Sequence, residues 1–383
     1  MRYQVKIPSS IYGGEGCIKN VKGIIEKEQA KKILVFTDKG ILATGLIRLL
    51  LDEIETAGAE YDIFDNLVPE PGYQDVENLV NETAHYDGNL IIAIGGGSVM
   101  DAAKLCSVLK DADYSIKDLL KEPGRAEKKI RTVMIPTTCG TGAEATCNAI
   151  VAIPEEQSKQ GIVNDSMIPD YVILDSQMIR KLPKQIVAAT GVDALAHAVE
   201  CYTSRKATPV SDTYALASAK LIFHNIREAY RHPDNMEAKS NMMLGAFYGG
   251  VAITASGTTA VHALSYPLGG KYHIAHGVSN AILFAHVMEF NKDACRRQLS
   301  EICDAIHPVM AKAGEDEKAQ YVIDEIADIV KITEIPVSLE QFGVSAEELD
   351  FLVDAGSRQT RLLENNRKEL SLNDIRNIYQ KVL

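Results

Sequence analysis

Short apolar runs alternate with helix-like segments over the first half of the chain. The run at Ile33–Phe36 is hydrophobic throughout, as in a strand that is buried on both faces of a sheet, and further strand-like runs follow at Leu90–Ile94 and Arg131–Ile135. Strands that alternate with helices predict parallel pairing through crossover helices. We therefore predict a doubly wound α/β domain with a parallel sheet over residues 1–182. Further strands are predicted at 1–8, 61–64 and 172–174, and a hairpin from 149–153 and 161–164.

Strand-like runs disappear after Pro183, and long helical periodicities replace them. A last helix is predicted to begin at Ser371, because Asp374 three residues later completes a capping box. The second half, residues 183–383, is therefore predicted to be an all-helical domain. Its other helices are predicted at 184–205, 209–231, 236–255, 276–292, 295–313 and 316–331.

Composition narrows the class of protein further. The formal net charge of −12 and the lack of a basic run argue against a nucleic-acid partner. No apolar stretch approaches the roughly 20 residues that a membrane-spanning helix needs, so we expect no membrane partner. The seven cysteines contain no Cys-x-x-Cys pair and do not form a disulfide framework. We expect a reduced, cytoplasmic protein.

Four of the nine histidines and one aspartate fall in two stretches that are otherwise mostly apolar. Asp193 and His197 stand four residues apart on a predicted helix, which places both side chains on one face. The second stretch carries His262, His273 and His276. For an isolated pair, a buried hydrogen bond between Asp193 and His197 is the more common arrangement. Together, carboxylate and imidazole groups suit a divalent transition metal, which is the working hypothesis.

A glycine-rich turn follows the predicted strand Leu90–Ile94. Its residues are Gly95, Gly96, Gly97 and Ser98, and a helix begins there. Glycines allow a ligand close to the backbone, and amides at a helix N-terminus bind phosphate oxygens. The alternative is a tight turn in which Ser98 and Asp101 form a capping box. Ligands of open α/β sheets bind at the carboxyl ends of strands, and this position favours a ligand.

Two other strand ends supply candidate contacts to a nucleotide. Asp38 follows Ile33–Phe36, where its carboxylate could accept hydrogen bonds from a ribose or cap a helix. Thr138 and Thr141 follow Arg131–Ile135 in a loop that is rich in hydroxyls and glycines. Such loops are also common without a ligand.

Four motifs in this order and spacing resemble those of the iron-containing (group III) alcohol dehydrogenases, and the resemblance covers essentially the whole chain. They are GGGSVMDAAK, PTTCGTGAE, GVDALAHAVE and VHALSYPLGG–YHIAHGVSNAI. The resemblance implies a nicotinamide cofactor in the cleft between the two domains. It also implies that a divalent metal binds to one aspartate and three histidines, which match Asp193, His197, His262 and His276. We expect this metal to be iron, with zinc as the alternative.

The resemblance further assigns cofactor-binding residues. Gly95–Ser98 match the pyrophosphate-binding loop, and Asp101 belongs to the same motif. Thr138 and Thr141 match threonines on the adenine side of the cofactor. The remaining matches are Lys159, which corresponds to a lysine near the cofactor, and Asn148, at a position that faces the nicotinamide in some members.

The predicted activity is that of a metal- and NAD-dependent alcohol dehydrogenase or aldehyde reductase. We expect the protein to assemble as a homodimer or larger homo-oligomer. Asp38 should favour NAD, because its carboxylate would repel the 2′-phosphate of NADP. Tyr266 stands where many members carry a histidine. We predict that Tyr266 shapes the pocket for a short, polar alcohol or carbonyl compound, with hydroxy acids and semialdehydes among the candidates. We predict that His273 relays the proton, although a surface loop position is the alternative.

Three other classes of protein remain open. A hydroxyacid–oxoacid transhydrogenase shares the sequence Ser265-Tyr266-Pro267 and would retain its cofactor tightly. A lyase resembling the dehydroquinate synthases needs a different ligand set and a strongly basic pocket, and the sequence shows neither. A structural metal site in a binding protein is the third class, but the sequence shows no closed cysteine site.

Overall fold

The computed structural model describes residues 3–68 and 70–383. Six strands form one sheet in the order β1-β8-β5-β4-β2-β3, and every neighbouring pair is parallel. Strands β6 and β7 form a separate antiparallel hairpin. The parallel sheet and the hairpin confirm the predicted fold class of the first half. The strands are β1 (Ser10–Gly13), β2 (Lys32–Phe36), β3 (Glu60–Phe64), β4 (Leu90–Gly95), β5 (Arg131–Pro136), β6 (Asn148–Ile153), β7 (Ser158–Val163) and β8 (Tyr171–Leu174).

Helices cover both faces of the sheet, as the continuous hydrophobicity of its strands requires. Ile33 and Val35 of β2 pack in one core with residues of α1 and α3, while Leu34 and Phe36 pack in another with residues of α4, α5 and α6. The helices of this half are α1 (Asn20–Glu28), α2 (Lys39–Thr44), α3 (Ile47–Thr56), α4 (Tyr73–Thr83), α5 (Gly97–Leu109) and α6 (Ile116–Lys121).

The second half is helical over the part of the chain that the structure describes, in agreement with the prediction. The capping box at Ser371 and Asp374 is confirmed. The exact domain boundary near residue 182 stays a prediction. The helices are α7 (Lys184–Thr203), α8 (Pro209–Arg231), α9 (Met236–Ser256), α10 (Ala260–Tyr272), α11 (His276–Ile306), α12 (Glu315–Ile332), α13 (Leu349–Ser357), α14 (Thr360–Leu363) and α15 (Leu372–Gln380). None of these described helices has the length and apolar character that crossing a lipid bilayer requires.

The predicted strand at residues 1–8 was wrong. Met1 and Arg2 lie outside the described residues, and residues 3–8 contain no strand. Pairing instead begins at Ser10, which lies opposite Tyr171. Because β8 is only four residues long, it offers a partner to four residues of β1 and no more.

The predicted division between the helices at 276–292 and 295–313 was also wrong, because one helix, α11, runs from His276 to Ile306. Asn291, beside the predicted break, is buried in a reciprocal pair of hydrogen bonds with Asn366. A buried polar side chain with a partner is compatible with a continuous helix. The helix ends just before Pro308, whose ring cannot continue it.

Glycines allow two close contacts that place the helices around the site. A Cβ atom at Gly277, the second residue of α11, would lie 2.1 Å from the carbonyl oxygen of Ala189 in α7. A Cβ atom at Gly250 in α9 would lie 2.3 Å from the carbonyl oxygen of Gly142, in the loop that follows β5. Both distances are too short for a side chain. Glycine therefore brings the start of α11 against α7, and α9 against the loop after β5.

Candidate active site

Helices α7, α10 and α11 bring four potential metal ligands together. One ligand atom each from Asp193, His197, His262 and His276 lies within 4.8 Å of the others. Asp193 Oδ1 is 3.7 Å from Nε2 of His197, 3.5 Å from that of His262 and 3.6 Å from that of His276. These distances exceed those of good hydrogen bonds. The atoms therefore surround a common point instead of bonding to one another.

The protonation of Asp193 and His276 suits a cation. Burial by itself raises the pKa of Asp193, but the nearby His197 and His276 lower it below its usual value. Burial lowers the pKa of His276 to about 3, so this imidazole is neutral at pH 7. Carboxylate and neutral imidazole are the forms that ligate metals. Only His276 has appreciable exposure, at 27% of its side chain, which leaves the cluster open on one side. The donor set fits a divalent transition metal with a free position for substrate.

Glu200, on α7, orients one of these ligands. Its carboxylate accepts hydrogen bonds from the backbone amides of Thr259 and Val261, from the Thr259 hydroxyl and from Nδ1 of His262. Burial alone lowers the pKa of His262, but the charge and hydrogen bonds of Glu200, together with Asp193, raise it to about 9. Sequence analysis missed this role, although Glu200 closes the motif that contains Asp193 and His197.

Asn280 was also missed. Its side-chain Nδ2 donates to Asp193 Oδ1 at 2.7 Å and lies 3.2 Å from Nε2 of His262 and 3.3 Å from Nε2 of His276. The available signal was spacing, since Asn280 follows His276 by four residues and therefore faces the same side of α11. The amide holds the Asp193 carboxylate in place among the imidazoles.

The cluster opens into a cavity of about 450 Å³ between the sheet domain and the helices. Its wall contains the N-terminus of α5, the β6–β7 hairpin and all four metal-ligand candidates. Six of the predicted cofactor-binding residues lie in this wall: Gly97, Ser98, Asp101, Thr141, Asn148 and Lys159. Within the described chain, Asp38, Gly95, Gly96 and Thr138 lie outside the wall. Their contacts to a cofactor stay predictions, as do those of the other six.

The glycine turn before α5 is closely packed against the loop that follows β5. A Cβ atom at Gly97 would lie 2.8 Å from Cγ2 of Thr141, and one at Gly96 would lie 3.5 Å from Cγ2 of Thr138. The two threonines therefore pack directly on the turn. The first residues of α5 line the cavity, and amides at a helix N-terminus can bind an anion.

The capping box proposed for Ser98 and Asp101 was wrong. The helix begins at Gly97, and no side chain caps it. Ser98 instead accepts a hydrogen bond from the amide of Glu70, and Asp101 accepts one from the amide of Ile150. Asp101 also pairs with Lys104 at 2.8 Å. Both side chains therefore bond to other parts of the fold and do not cap the helix.

Glu70 connects Lys159, on the cofactor side of the cavity, to the metal cluster. Glu70 lies 2.8 Å from Nζ of Lys159 and accepts a hydrogen bond from the backbone amide of His276. No motif pointed to Glu70, which lies in the loop before α4.

Asp38 caps α2 by accepting a hydrogen bond from the amide of Ile41 at 2.9 Å. Its contact to a ribose stays a prediction.

The two residues that were predicted to act on the proton and substrate are placed differently. Tyr266 is 5% exposed, lies in the cavity wall, and has its ring 6.1 Å from that of His276. His273 is exposed at the end of α10, with a left-handed φ of 55°. It lines a neighbouring cavity that shares Glu70 and Lys159 with the first. The structure does not bring His273 into the wall beside the metal cluster, and its relay role stays a prediction.

Comparison with known proteins agrees with this geometry. The family model described as iron-containing alcohol dehydrogenase matches residues 8–176, and the model for the C-terminal part of the Fe-containing alcohol dehydrogenase family matches residues 187–383. Long-chain-alcohol dehydrogenase 1 of Geobacillus thermodenitrificans is 34% identical over 380 residues, which cover 98% of this chain and 96% of that protein.

Solved structures of related enzymes have the same fold. A 1,3-propanediol oxidoreductase superposes with a TM-score of 0.93 at 26% identity, over 100% of both chains. Sulfoacetaldehyde reductase from Bifidobacterium kashiwanohense, in complex with NAD⁺, superposes with a TM-score of 0.88 at 27% identity, over 100% of this chain and 99% of that one. The chain belongs to the iron-containing alcohol dehydrogenase family, and it is an alcohol or aldehyde oxidoreductase.

Proposed function

We propose that this protein interconverts a small alcohol and its aldehyde with NAD and a divalent metal, iron in preference to zinc. The observation that carries the proposal is the position of the four metal-ligand candidates, which share one cavity wall with the N-terminus of α5. A metal site and an anion-binding helix end therefore face the same space. The NAD⁺ complex of the related sulfoacetaldehyde reductase supports the choice of cofactor.

The residues of the chain divide the work. Asp193, His197, His262 and His276 would hold the ion, while the first amides of α5 would hold the cofactor phosphates. When bound, the ion supplies Lewis acidity and the nicotinamide supplies the hydride chemistry. In oxidation, the alcohol loses one hydride, which NAD⁺ accepts, and one proton, which leaves to solvent. Tyr266 excludes water from the side of the cavity next to His276.

Metal analysis tests the first half of the proposal. The purified protein should contain about one divalent ion per chain, and stripping it with a chelator should abolish turnover until Fe²⁺ or Zn²⁺ is restored. His262→Ala should lose the ion and the activity together. His232→Ala is the matched control, because this histidine is exposed on the surface and should change neither quantity. Full activity of the stripped protein would contradict a catalytic metal.

Absorbance at 340 nm tests the second half. Offered with NAD(H), short alcohols or aldehydes should give a change that depends on both the substrate and the added cofactor. Turnover of a hydroxy acid with an oxo acid in the absence of added NAD, with cofactor retained through purification, would indicate a transhydrogenase instead.

We further propose a cytoplasmic location and assembly as a homodimer or larger homo-oligomer. All seven cysteines are free, which supports a reducing compartment. Light scattering coupled to size-exclusion chromatography measures the assembly, and a mass of 41.8 kDa in solution would contradict it.

A further inference from the structure

Two cationic side chains in the cavity wall have no ionic partner. Arg361 and Lys206 both line the cavity, and both are exposed. Within residues 3–68 and 70–383, no carboxylate lies within 4.0 Å of either side chain. A guanidinium carries five N–H donors in a rigid fork that matches a carboxylate. An unpaired guanidinium in a substrate cavity therefore calls for an explanation.

The acidic groups of the same wall are all engaged elsewhere. Glu70 pairs with Lys159 at 2.8 Å, and Asp101 pairs with Lys104 at 2.8 Å. Asp193 lies among the three histidines of the metal cluster. The charge of Arg361 is therefore not balanced by any of these groups.

The segment that carries Arg361 is anchored on both sides. Gln359 donates to the hydroxyl of Ser158 in β7 at 3.0 Å, and the side chain of Asn365 donates to the carbonyl of Thr258 at 2.8 Å. These contacts tie α14 to the hairpin on one side and to the start of α10 on the other. The backbone of Arg361 is thus held at a fixed place on the rim of the cavity.

Its guanidinium is directed by a glycine in the hairpin. A Cβ atom at Gly161 would lie 3.1 Å from Nη2 of Arg361 and 2.9 Å from Cδ1 of Ile150, so glycine leaves the space that the guanidinium uses. Arg361 and Tyr266 line the same cavity wall. Burial raises the pKa of this phenol, and the charge of Arg361 opposes that rise. The Tyr266 ring is 6.1 Å from that of His276, so Tyr266 lies beside the metal cluster in the wall that also contains Arg361.

We propose that Arg361 determines substrate specificity by binding the anionic group of a short alcohol or aldehyde that bears a carboxylate or sulfonate at its far end. This inference rests on the proposed function, because it takes the metal cluster as the place where the carbonyl is reduced. A short substrate can contact both, because Arg361 and the four metal-ligand candidates line one cavity of about 450 Å³. The acid group is unchanged in the reaction, and Lys206 adds positive charge to the same wall.

Paired substrates of equal length test the proposal. With NADH, the parent enzyme should show a kcat/KM for 4-oxobutanoate about 10- to 100-fold above that for butanal, as expected for charge-assisted hydrogen bonds. Arg361→Gln should remove most of this preference, mainly through KM, and leave butanal within about threefold of the parent. Arg358→Gln is the matched control, since it removes the same charge from an exposed residue of the same region that lies outside the cavity wall.

Three kinetic outcomes would overturn the inference. The first is an equal loss for both substrates in Arg361→Gln, which would indicate a structural role. The second is a rise in KM for NADH alone, which would place a cofactor phosphate on Arg361. The third is a parent enzyme that prefers butanal.

Calorimetric titration with sodium butanoate, in the presence of NAD⁺, gives a second readout. The parent should bind butanoate at least about tenfold more tightly than Arg361→Gln. If no alcohol or aldehyde is turned over but this difference persists, the proposed function fails and the anionic subsite stands. If turnover occurs without the difference, the subsite fails and the proposed function stands.

Discussion

The carboxylate of Glu200 is hydrogen bonded to Nδ1 of His262, and this bond turns Nε2 of the imidazole toward the other three metal-ligand candidates. The two residues lie far apart in sequence, on α7 and α10, and both are buried. Carboxylates that hold ligand histidines in this way fix the tautomer and the orientation of the ring.

Replacing this carboxylate should weaken metal binding. In Glu200→Gln the amide keeps the size of the side chain but can no longer accept from all four of its donors. We expect the affinity for the divalent ion to fall by about 10- to 100-fold, measured by competition with a chelator. Glu301→Gln is the control, because Glu301 accepts a hydrogen bond from Tyr202 away from the cluster. Equal metal affinities for Glu200→Gln and the parent would show that Glu200 only supports the fold.

The choice between NAD and NADP should depend on the charge of Asp38. We expect Asp38→Gly to raise the ratio of kcat/KM for NADP⁺ to that for NAD⁺ by at least about tenfold, because repulsion of the 2′-phosphate is lost. Asp38→Asn separates the two roles of this residue, since asparagine keeps an oxygen that can cap α2 while the charge is removed. A ratio that changes in neither variant would leave Asp38 as a helix cap only.

The buried Glu144 should make stability depend on pH. Desolvation raises the pKa of this carboxyl from 4.5 to about 7, and the side chain is 2% exposed. A raised pKa means that the folded state holds the proton more tightly than the unfolded state. The free energy of unfolding should therefore fall as pH rises from about 4.5 through 7.

Glu144→Gln isolates this effect. The variant should gain on the parent by less than about 1 kcal/mol at pH 5 and by about 3 kcal/mol at pH 8, in denaturant unfolding of the metal-free protein. The exposed Glu347→Gln should show no such dependence on pH. A difference between Glu144→Gln and the parent that is constant from pH 5 to 8 would contradict the ionisation of Glu144.

The proton relay predicted for His273 has to work from outside the cavity wall. His273→Ala should flatten the pH–rate profile near neutrality and leave the metal content unchanged. The measurement is kcat/KM for alcohol oxidation between pH 5.5 and 9. A profile identical to that of the parent would show that the proton leaves by another route, through the cofactor ribose and water.

The period and length of apolar runs were enough to predict the parallel sheet and the helical second half. They failed where one long helix was predicted as two, with a break between residues 292 and 295. Asn291, beside that break, is buried in hydrogen bonds with Asn366, and the helix continues through it. They failed also at the N-terminus, where alternation in residues 1–8 resembled a strand. Pairing begins only at Ser10, where β8 supplies a partner, and the local pattern of residues 1–8 does not contain the position of β8.

The residues of the candidate site also fall into those that the sequence revealed and those that it did not. The four metal-ligand candidates stood out by residue type and spacing, and their assignment as ligands stays a prediction. Residues that act through long-range contacts left little trace, because their partners are fixed only by folding. Arg361 reaches the cavity through the anchoring of α14 on the hairpin, and Glu70 joins Lys159 to the amide of His276.

The four donors come from three helices and span residues 193 to 276. An ion held by all of them would close that stretch of chain, with α8 and α9 inside the loop, as a reversible cross-link. The unfolded chain cannot assemble the same donors, so the free energy of ion binding adds to the free energy of unfolding. Detachment of α10 or α11 from α7 then requires release of the ion. A chelator should consequently expose the connection between α9 and α10, at residues 257–259, to proteases before the sheet domain unfolds.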